Sequence, residues 1–383
     1  MTSIINEHSH GLAPVQMRSE RKRSTDIADF AAISKTEEQW RYLDVERLKG
    51  LDAGILPAFD GEISFTAPAG AAHEIVGIDH DLFGSAGTPE DRVSAAAWGA
   101  AGQIHVLRIP ANFSSTEPVR LEVTGASEAP GALHVVVEAG TFAEATVVID
   151  HRGRAVLAEN IEIIAGDESK LKVVSVQDWT RDSVHVSAQF LKLGRNAQVE
   201  HIAVTLGGDT VRVTPTVAYA APGGDVNLLG AYFATAGQHF EHRPFVDHSQ
   251  PNCKSNVTYK GALQGEKAHT VWVGDVLIRK AAEGTDTYEL NRNLLLTDGA
   301  RADSVPNLEI ETGEIEGAGH ASASGRFDDE QLFYLQARGI PELDARRLVV
   351  RGFLNEVVQK IAVDDIEERL SATIEAELAR SIN

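Results

Sequence analysis

Thiol chemistry is almost absent from this chain. Cys253 is the single cysteine in 383 residues, so no internal disulfide can form. A cluster or structural zinc site needs several thiolate or imidazole ligands, and one Cys with fourteen scattered His residues is not a self-contained Cys-rich site. Basic charge is short as well. Lys and Arg number 35 against 56 Asp and Glu, a net charge of −21, which argues against a dedicated nucleic-acid binder. No run approaches the ~20 apolar residues of a membrane helix. The opening MTSIINEHSHGLAPVQMRSERKRS lacks the apolar core of a secretory signal, so no membrane role and a cytoplasmic location are expected. Catalytic signatures are missing too. There is no G-x-x-x-x-G-K-S/T phosphate loop, and Gly207–Gly208 and Gly223–Gly224 lack the helix and lysine such a site demands. G-x-S-x-G, H-E-x-x-H and C-x-x-C do not occur either, which removes the common hydrolase, zincin and thioredoxin-like readings.

What is present is an ordinary globular composition, 43% hydrophobic and 24% charged, long enough for one large domain or two to three smaller ones. Residues 1–30 are polar, carry the basic run RSERKR, and are expected to be a disordered tail. Residues 31–130 are expected to be a helical and mixed region. In it, TEEQWRYLDVERLKG sets Trp40, Leu43 and Leu48 beside charged residues, the pattern of a short amphipathic helix. HVLRIPANFSSTEPVRLEVTG predicts two strands around a turn.

From about 131 to 325, alternating Val, Ile and Leu segments recur without long helical patterns. Gly140, Gly166, Gly194, Gly224, Gly265 and Gly299 are each followed three residues later by Ala143, Ser169, Ala197, Asn227, Ala268 and Ala302, all small or small and polar. A tight turn, a small residue and then strand, repeated at irregular intervals, predicts a parallel β-helix. The alternative is an irregular β-sandwich with ordinary glycine turns.

Residues 326–383 turn helical. Asp328 and Asp329 suit an N-terminus, Leu332, Tyr334 and Leu335 supply apolar bulk, and Gly339 stops the helix before Ile340–Pro341. PELDARRLVVRGFLNEVVQKI then places Val350, Leu354, Val357, Val358 and Ile361 on one stripe, widened by Val349 and Phe353. DDIEERLSATIEAELARSI carries Ile366, Leu370, Ile374, Leu378 and Ile382 at four-residue spacing. Both helices are expected to pack on each other and to cap an end of the solenoid.

The densest histidine region is GQHFEHRPFVDHSQPNCKS. His239 and His242 are three apart, a chelating spacing on paper, but residues three apart on a strand face opposite sides, which disfavours a metal site built from that pair. His320 stands alone among Gly317, Ala318, Gly319, Ala321 and Ser322, neighbours small enough to let another chain or an ion approach.

Several of these segments resemble one family. DDEQLFYLQARGI, after the His-centred small-residue run GAGHASASGRF, is similar to the matching region of SufD, a non-ATPase subunit of the bacterial SufBCD iron–sulfur cluster assembly machine. EEQWRY is similar to an E-x-W-R-Y-T element near the start of SufB and SufD proteins, read here as a packing cluster. HRPFVDHSQPNCKSNVTYKG matches a further family element at His242, His248 and Lys260, residues expected to shape the core, with Cys253 a buried small hydrophobe. TDTYELNRNLLLTDGARADSVPNLEIE resembles the family around Asn291–Leu296 and Pro306–Glu309. SufB carries its scaffold cysteine in that part of the sequence, and no cysteine follows Cys253 here, which points to the SufD branch. The resemblance is strong over 238–361 and weak before Arg120 apart from EEQWRY.

The resemblance implies a right-handed parallel β-helix core with an N-terminal helical region and a C-terminal helical domain. It implies a non-catalytic scaffold subunit, not an enzyme, that pairs with a SufB homologue and recruits the SufC ATPase through the C-terminal helices, here Val350, Phe353, Leu354 and Val357. For the isolated chain a homodimer stays open beside the heterodimer. No cofactor is expected to be tightly bound to the chain alone, and a nascent iron–sulfur cluster would be shared with SufB. In the family segment C-S-H-G-A-T the His is implicated in cluster assembly. Its counterpart is His320, with Ala318 at the family's Cys position and Ala321 at the following Gly, so His320 is the segment's only soft-metal ligand. A neutral imidazole serves as an iron ligand or a proton carrier. Two other classes remain in view. A carbohydrate-active β-helix enzyme would need acid/base residues clustered along one face, and the carboxylates here show no recurring position after the repeat glycines. A purely structural solenoid adaptor would give His320 no role.

Overall fold

The computed structural model describes residues 21–326 and 329–380; the side chains of 329–332, 343 and 380 lie outside that description. Among the described residues, two short 3-10 segments precede two short strands, β1 (Glu62–Thr66) and β2 (Ala72–Gly77), and one helix, α1 (Arg92–Ala100). There follow β3 (Gln103–Ile109), β4 (Val119–Ala139), β5 (Glu144–Ala165), β6 (Lys170–Trp179), β7 (Val184–Leu193), β8 (Gln198–Thr205) and β9 (Thr210–Tyr219). Next come β10 (Asp225–Ala234), β11 (His239–His242), β12 (Phe245–His248), β13 (Lys254–Leu263), β14 (His269–Ile278), β15 (Asp286–Leu295), β16 (Arg301–Ile310) and β17 (Gly317–Arg326). Three helices close the chain, α2 (Asp329–Ala337), α3 (Glu342–Val358) and α4 (Asp364–Arg380).

Parallel pairing sorts the strands into two facing ladders. The first runs β4, β5, β6, β8, β10, β13, β15, β17. The second runs β3, β4, β5, β7, β9, then β11 with β12, then β14 and β16. β4 and β5 belong to both because each continues around a corner. The result is the expected parallel β-solenoid, of about eight turns, followed by a C-terminal helical region. β1 and β2 pair antiparallel with the first strand of each ladder and cover the N-terminal end.

The glycine pattern has a concrete cause. Ala143, Ser169, Ala197 and Ala268 each donate their backbone N–H to the carbonyl of the glycine three residues before, closing a tight turn. A Cβ on Gly166 would lie 2.8 Å from the Ala139 carbonyl oxygen of the coil beneath, so only glycine fits that corner. The series nevertheless mixes two corners. Gly140, Gly166, Gly194 and Gly224 lead into the first ladder, whereas Gly265 and Gly299 lead into the second. That mixing, together with coils that lengthen from 26 residues (144 to 170) to 32 (254 to 286), produces the irregular spacing.

The space between the ladders is filled by alternate residues such as Val147, Ile149, Ile161 and Leu191, all buried. The first ladder is also buried on its outer face. Val174, Val176, Ile202, Val204, Leu229 and Phe233 pack there against Val350, Leu354, Val357, Ile366, Leu370 and Ile374. The helices therefore lie along the flank of the solenoid and do not cap its end. The reason is area: a sheet face apolar on both sides offers a long surface for two apolar helix stripes. Arg369 to Asp150 (2.8 Å) and Asp178 (2.7 Å) and Arg120 to Asp365 (2.6 Å) tie α4 to that flank.

Two further expectations are corrected. TEEQWRYLDVERLKG is not an amphipathic helix. It is a chain of turns with one short 3-10 segment, Val45–Leu48, ended by left-handed Lys49 and Gly50. Its backbone is used to bind the second ladder: the Gln39 carbonyl accepts from both Arg212 and Arg243 at 2.8 Å, which leaves it unavailable to a helix. Trp40, Leu43, Leu48 and Leu51 are fully covered, and the Arg212 guanidinium sits 4.0 Å over the Trp40 ring, so EEQWRY is a packing cluster. As for the polar tail, residues 1–20 lie outside the described residues, but from Arg21 the chain is placed, with Arg21 and Arg23 paired to Glu90 and a 3-10 turn at Ile27–Asp29.

α2 ends where expected. Gly339 adopts φ +83°, and Ile340 donates its N–H back to the Leu335 carbonyl. Asp328, the side chains of Asp329 and Leu332, and Ile382 lie outside the described residues.

Candidate functional site at the open end of the solenoid

No strand follows β16 and β17 in either ladder among the described residues, so the last coil leaves two strand edges unpaired and its inward residues partly or fully exposed. His320 stands on β17 in register with Glu289 of β15. Glu289 is a buried inward residue, so His320 belongs to the same inner row but is exposed, because nothing stacks above it. Around it the mouth is polar. Ser322 bridges to Ser304 of the opposite ladder at 2.8 Å, and Asn293 donates to Ser324 at 3.2 Å. One coil further in, Asn291 donates to the Tyr232 hydroxyl (2.9 Å), which donates to Asn293 (2.7 Å). Burial pushes the Tyr232 phenol up, so it stays protonated and serves as that donor. Gly317, Ala318 and Gly319 keep the strand edge bare.

Deeper inside, the lumen holds a buried polar trio that sequence reasoning missed. Glu159 Oε1 lies 3.0 Å from His151 Nε2, and its Oε2 accepts from Ser187 (3.0 Å) and His185 Nε2 (3.1 Å). Among the described residues, His151, Glu159 and His185 are the group of three whose ligand atoms all lie close enough together to hold one metal ion. The hydrogen bonds argue otherwise. His151 Nδ1 donates to the Val176 carbonyl at 2.8 Å and its Nε2 faces a carboxylate, so both nitrogens carry hydrogen. His185 Nδ1 accepts from Trp179 Nε1, so its Nε2 must carry the hydrogen given to Glu159. Neither ring keeps a lone pair for a metal. Burial alone disfavours the His151 cation, but the Glu159 charge outweighs it and raises its pKa; burial likewise disfavours the Glu159 anion, and the His151 charge holds it well below the usual carboxylate range. The one sequence signal was Glu159 in the apolar run VLAENIEII, in phase with inward Leu157 and Ile161.

His239 and His242 lie on opposite faces of β11, as strand geometry required: His242 stacks on Tyr232 inside the lumen, while His239 faces out toward Glu241. Burial lowers the His242 pKa to about 3, and that of His248, which bonds Ser255 and stacks on Tyr219, also to about 3. Lys260 does not shape the lumen. It points outward, pairs with Glu356 of α3 and lies 5.0 Å from the Phe353 ring, joining helix to solenoid. Cys253 is buried and its thiol is pushed up by burial, so it is a packing residue with little thiolate character. Val350, Leu354 and Val357 are buried against the first ladder and Phe353 is half-buried there. The stripe expected to dock an ATPase is thus covered by the chain itself. Among the described residues, the large apolar side chains exposed on the helices are Phe333, Tyr334 and Leu348.

The fold and its open end define a class: a parallel β-solenoid with one end closed by antiparallel strands and the other bare, flanked by helices. Comparison with known proteins narrows it. Residues 123–353 match the family described as SUF system FeS cluster assembly, SufBD core domain. An iron–sulfur cluster assembly SufBD family protein of Mycobacterium bovis is 50% identical over 363 residues, covering 93% of this chain and 91% of the relative. One from Mycobacterium leprae is 50% identical over 366 residues, covering 93% of each. A Synechocystis SufBD family protein is 25% identical over 209 residues, 55% of this chain and 46% of the relative. The chain belongs to the SufBD family of iron–sulfur cluster assembly proteins. No helix among the described residues is long and apolar enough to cross a membrane.

Proposed function

We propose that this chain is the SufD-like member of a cytoplasmic SufB–SufC–SufD assembly scaffold, with no catalytic turnover of its own. The observation that carries the reading is the bare last coil: two unpaired parallel strand edges, small residues along one of them, and an exposed imidazole, His320, on the inner row. A homologous solenoid end from a SufB-like chain, or in its absence a second copy, would continue the ladders and enclose His320 at the junction. Cys253 is buried and no other thiol is present, so the thiolate for a nascent cluster comes from the partner, and His320 supplies an imidazole to iron or a proton to sulfide. SufC engages the helical flank through Phe333, Tyr334 and Leu348, not through the covered stripe.

The test is co-expression with SufB and SufC homologues. A stable three-protein complex carrying iron and sulfide is expected. In it, His320→Ala should remove the iron while leaving the complex and its melting temperature unchanged, because the side chain is exposed and little packs on it. Lowered melting with iron retained in the folded fraction would overturn the role of His320.

A further inference from the structure

We propose that His239 and His269 form a clamp for one first-row divalent cation, of the zinc, cobalt or iron(II) class, on the outer face of the second ladder. The two residues are direct partners in the parallel register of β11 and β14, so their side chains stand side by side on one face. Their Nδ1 atoms are 3.1 Å apart, with the rings at 72°. The other nitrogen of each ring is held by a carboxylate: His239 Nε2 lies 3.1 Å from Glu241 Oε1, and His269 Nε2 lies 2.7 Å from Asp303 Oδ2. A carboxylate only accepts, so both Nε2 atoms carry hydrogen.

The consequence is electronic. With Nε2 protonated, each neutral imidazole presents its lone pair at Nδ1, and the two lone pairs meet at 3.1 Å. That arrangement calls for a cation between them, either a proton or a metal ion. A bridging proton would make the pair an imidazolium in a region where Arg212 and Arg243 already face Glu241 and Arg301 faces Asp303. Burial, and then the neighbouring His239, also lower the proton affinity of His269. A metal ion fits the geometry directly: two metal–nitrogen bonds of ~2.0–2.1 Å meeting at about 95–100° span the same separation. An imidazole ligand whose far N–H is fixed by a carboxylate is the usual outer-shell arrangement of a histidine metal site. Because Glu241 and Asp303 are charge-paired with arginines, they act as orienting groups, and the remaining coordination positions fall to water. His239 is covered, and access is from the side of His269, whose side chain is 19% exposed. Magnesium and calcium, which take oxygen ligands, do not suit two imidazoles.

The pair differs from the other close histidines. The rings of His151 and His185 have no free lone pair, as described above. His73 and His105 approach to 3.0 Å, but neither is held by a carboxylate, so one ring simply donates to the other. This inference is independent of the proposed role in cluster assembly, because it needs neither a partner nor His320.

The test uses the full purified chain, stripped with a chelator and titrated with Co2+ while its visible ligand-field absorption and the metal retained after gel filtration are read. One Co2+ per chain is expected, displaced by Zn2+ and not by Mg2+. His269→Gln should weaken binding at least about tenfold, and Asp303→Asn, a change at a half-buried site that leaves both rings in place, by about 10–100-fold. His105→Gln should leave it unchanged. Equal Co2+ uptake by parent, His269→Gln and Asp303→Asn would overturn the assignment. So would a parent chain that takes up no Co2+, and the histidine nitrogen signals would then report whether a proton is shared between the two rings instead.

Discussion

Truncating Leu354 separates packing from docking on the C-terminal helices. Its side chain is fully covered, between the apolar outer face of the first ladder (Leu229, Ala231, Phe233) and α4. Leu354→Ala removes a buried isobutyl group from between a rigid sheet and two helices that the chain also ties down by ion pairs, so the gap closes poorly. Buried Leu→Ala changes cost about 2–5 kcal/mol, and this setting places the cost near 3 kcal/mol. At about 1.4 kcal/mol per factor of ten, that is a roughly hundredfold loss of protection. It should be read locally, by hydrogen exchange of α3 and α4 amides, since a solenoid coil depends mainly on its neighbours and the far strands should keep their protection. Phe333→Ala makes the contrast: that ring is 72% exposed, and exposed substitutions stay within about 0.5 kcal/mol. Phe333→Ala should leave exchange unchanged and weaken capture of a SufC homologue. If Leu354→Ala leaves the protection of α3 and α4 intact, the helices are not held to the solenoid by this buried stripe, and its burial no longer removes it as a docking surface.

Stability should fall on mild acidification. His242 and His248 have folded values of about 3 against an ordinary 6.5, so below about pH 6.5 the unfolded chain takes up protons that the folded chain refuses; urea midpoints from pH 7.5 to 5 should decline, and His242→Phe should flatten the decline, a steeper or unchanged slope counting against this account. Trp40→Ala should cost about 3–5 kcal/mol and loosen Arg212 as well, because the ring fills a buried site under that guanidinium; a melting temperature equal to the parent's would show that the N-terminal strap is dispensable to the solenoid.

Much of the fold was legible because it rests on local physics. Glycine followed three residues later by a small residue marks a turn whose hydrogen bond joins those two positions, and Gly166 must be glycine because another coil lies against it. Four-residue spacing from Ile366 to Leu378 makes an apolar helix stripe wherever the helix ends up. Strand alternation alone separated His239 from His242. The segment around Trp40 was misread because its apolar spacing suits a helix, while its backbone carbonyl at Gln39 is claimed by two arginines more than 170 residues away.

The sequence by itself determined the solenoid turns, the alternation of buried and exposed positions, the C-terminal helices and the family, since each depends on residues close together in the chain or on a motif read in one piece. The tertiary structure decided which coil lies against which, and with it everything that depends on register. It set His239 beside His269, gathered His151, Glu159 and His185 in the lumen, laid the apolar stripe of α3 on the flank of the first ladder, and left His320 on the inner row of a coil with nothing above it. Coils of 26 to 32 residues, with glycines at two different corners, carry no fixed period from which those neighbours could be counted. Only the stacking of the ladders, governed by burial on both faces of the first sheet and by the strap across the second, fixes them.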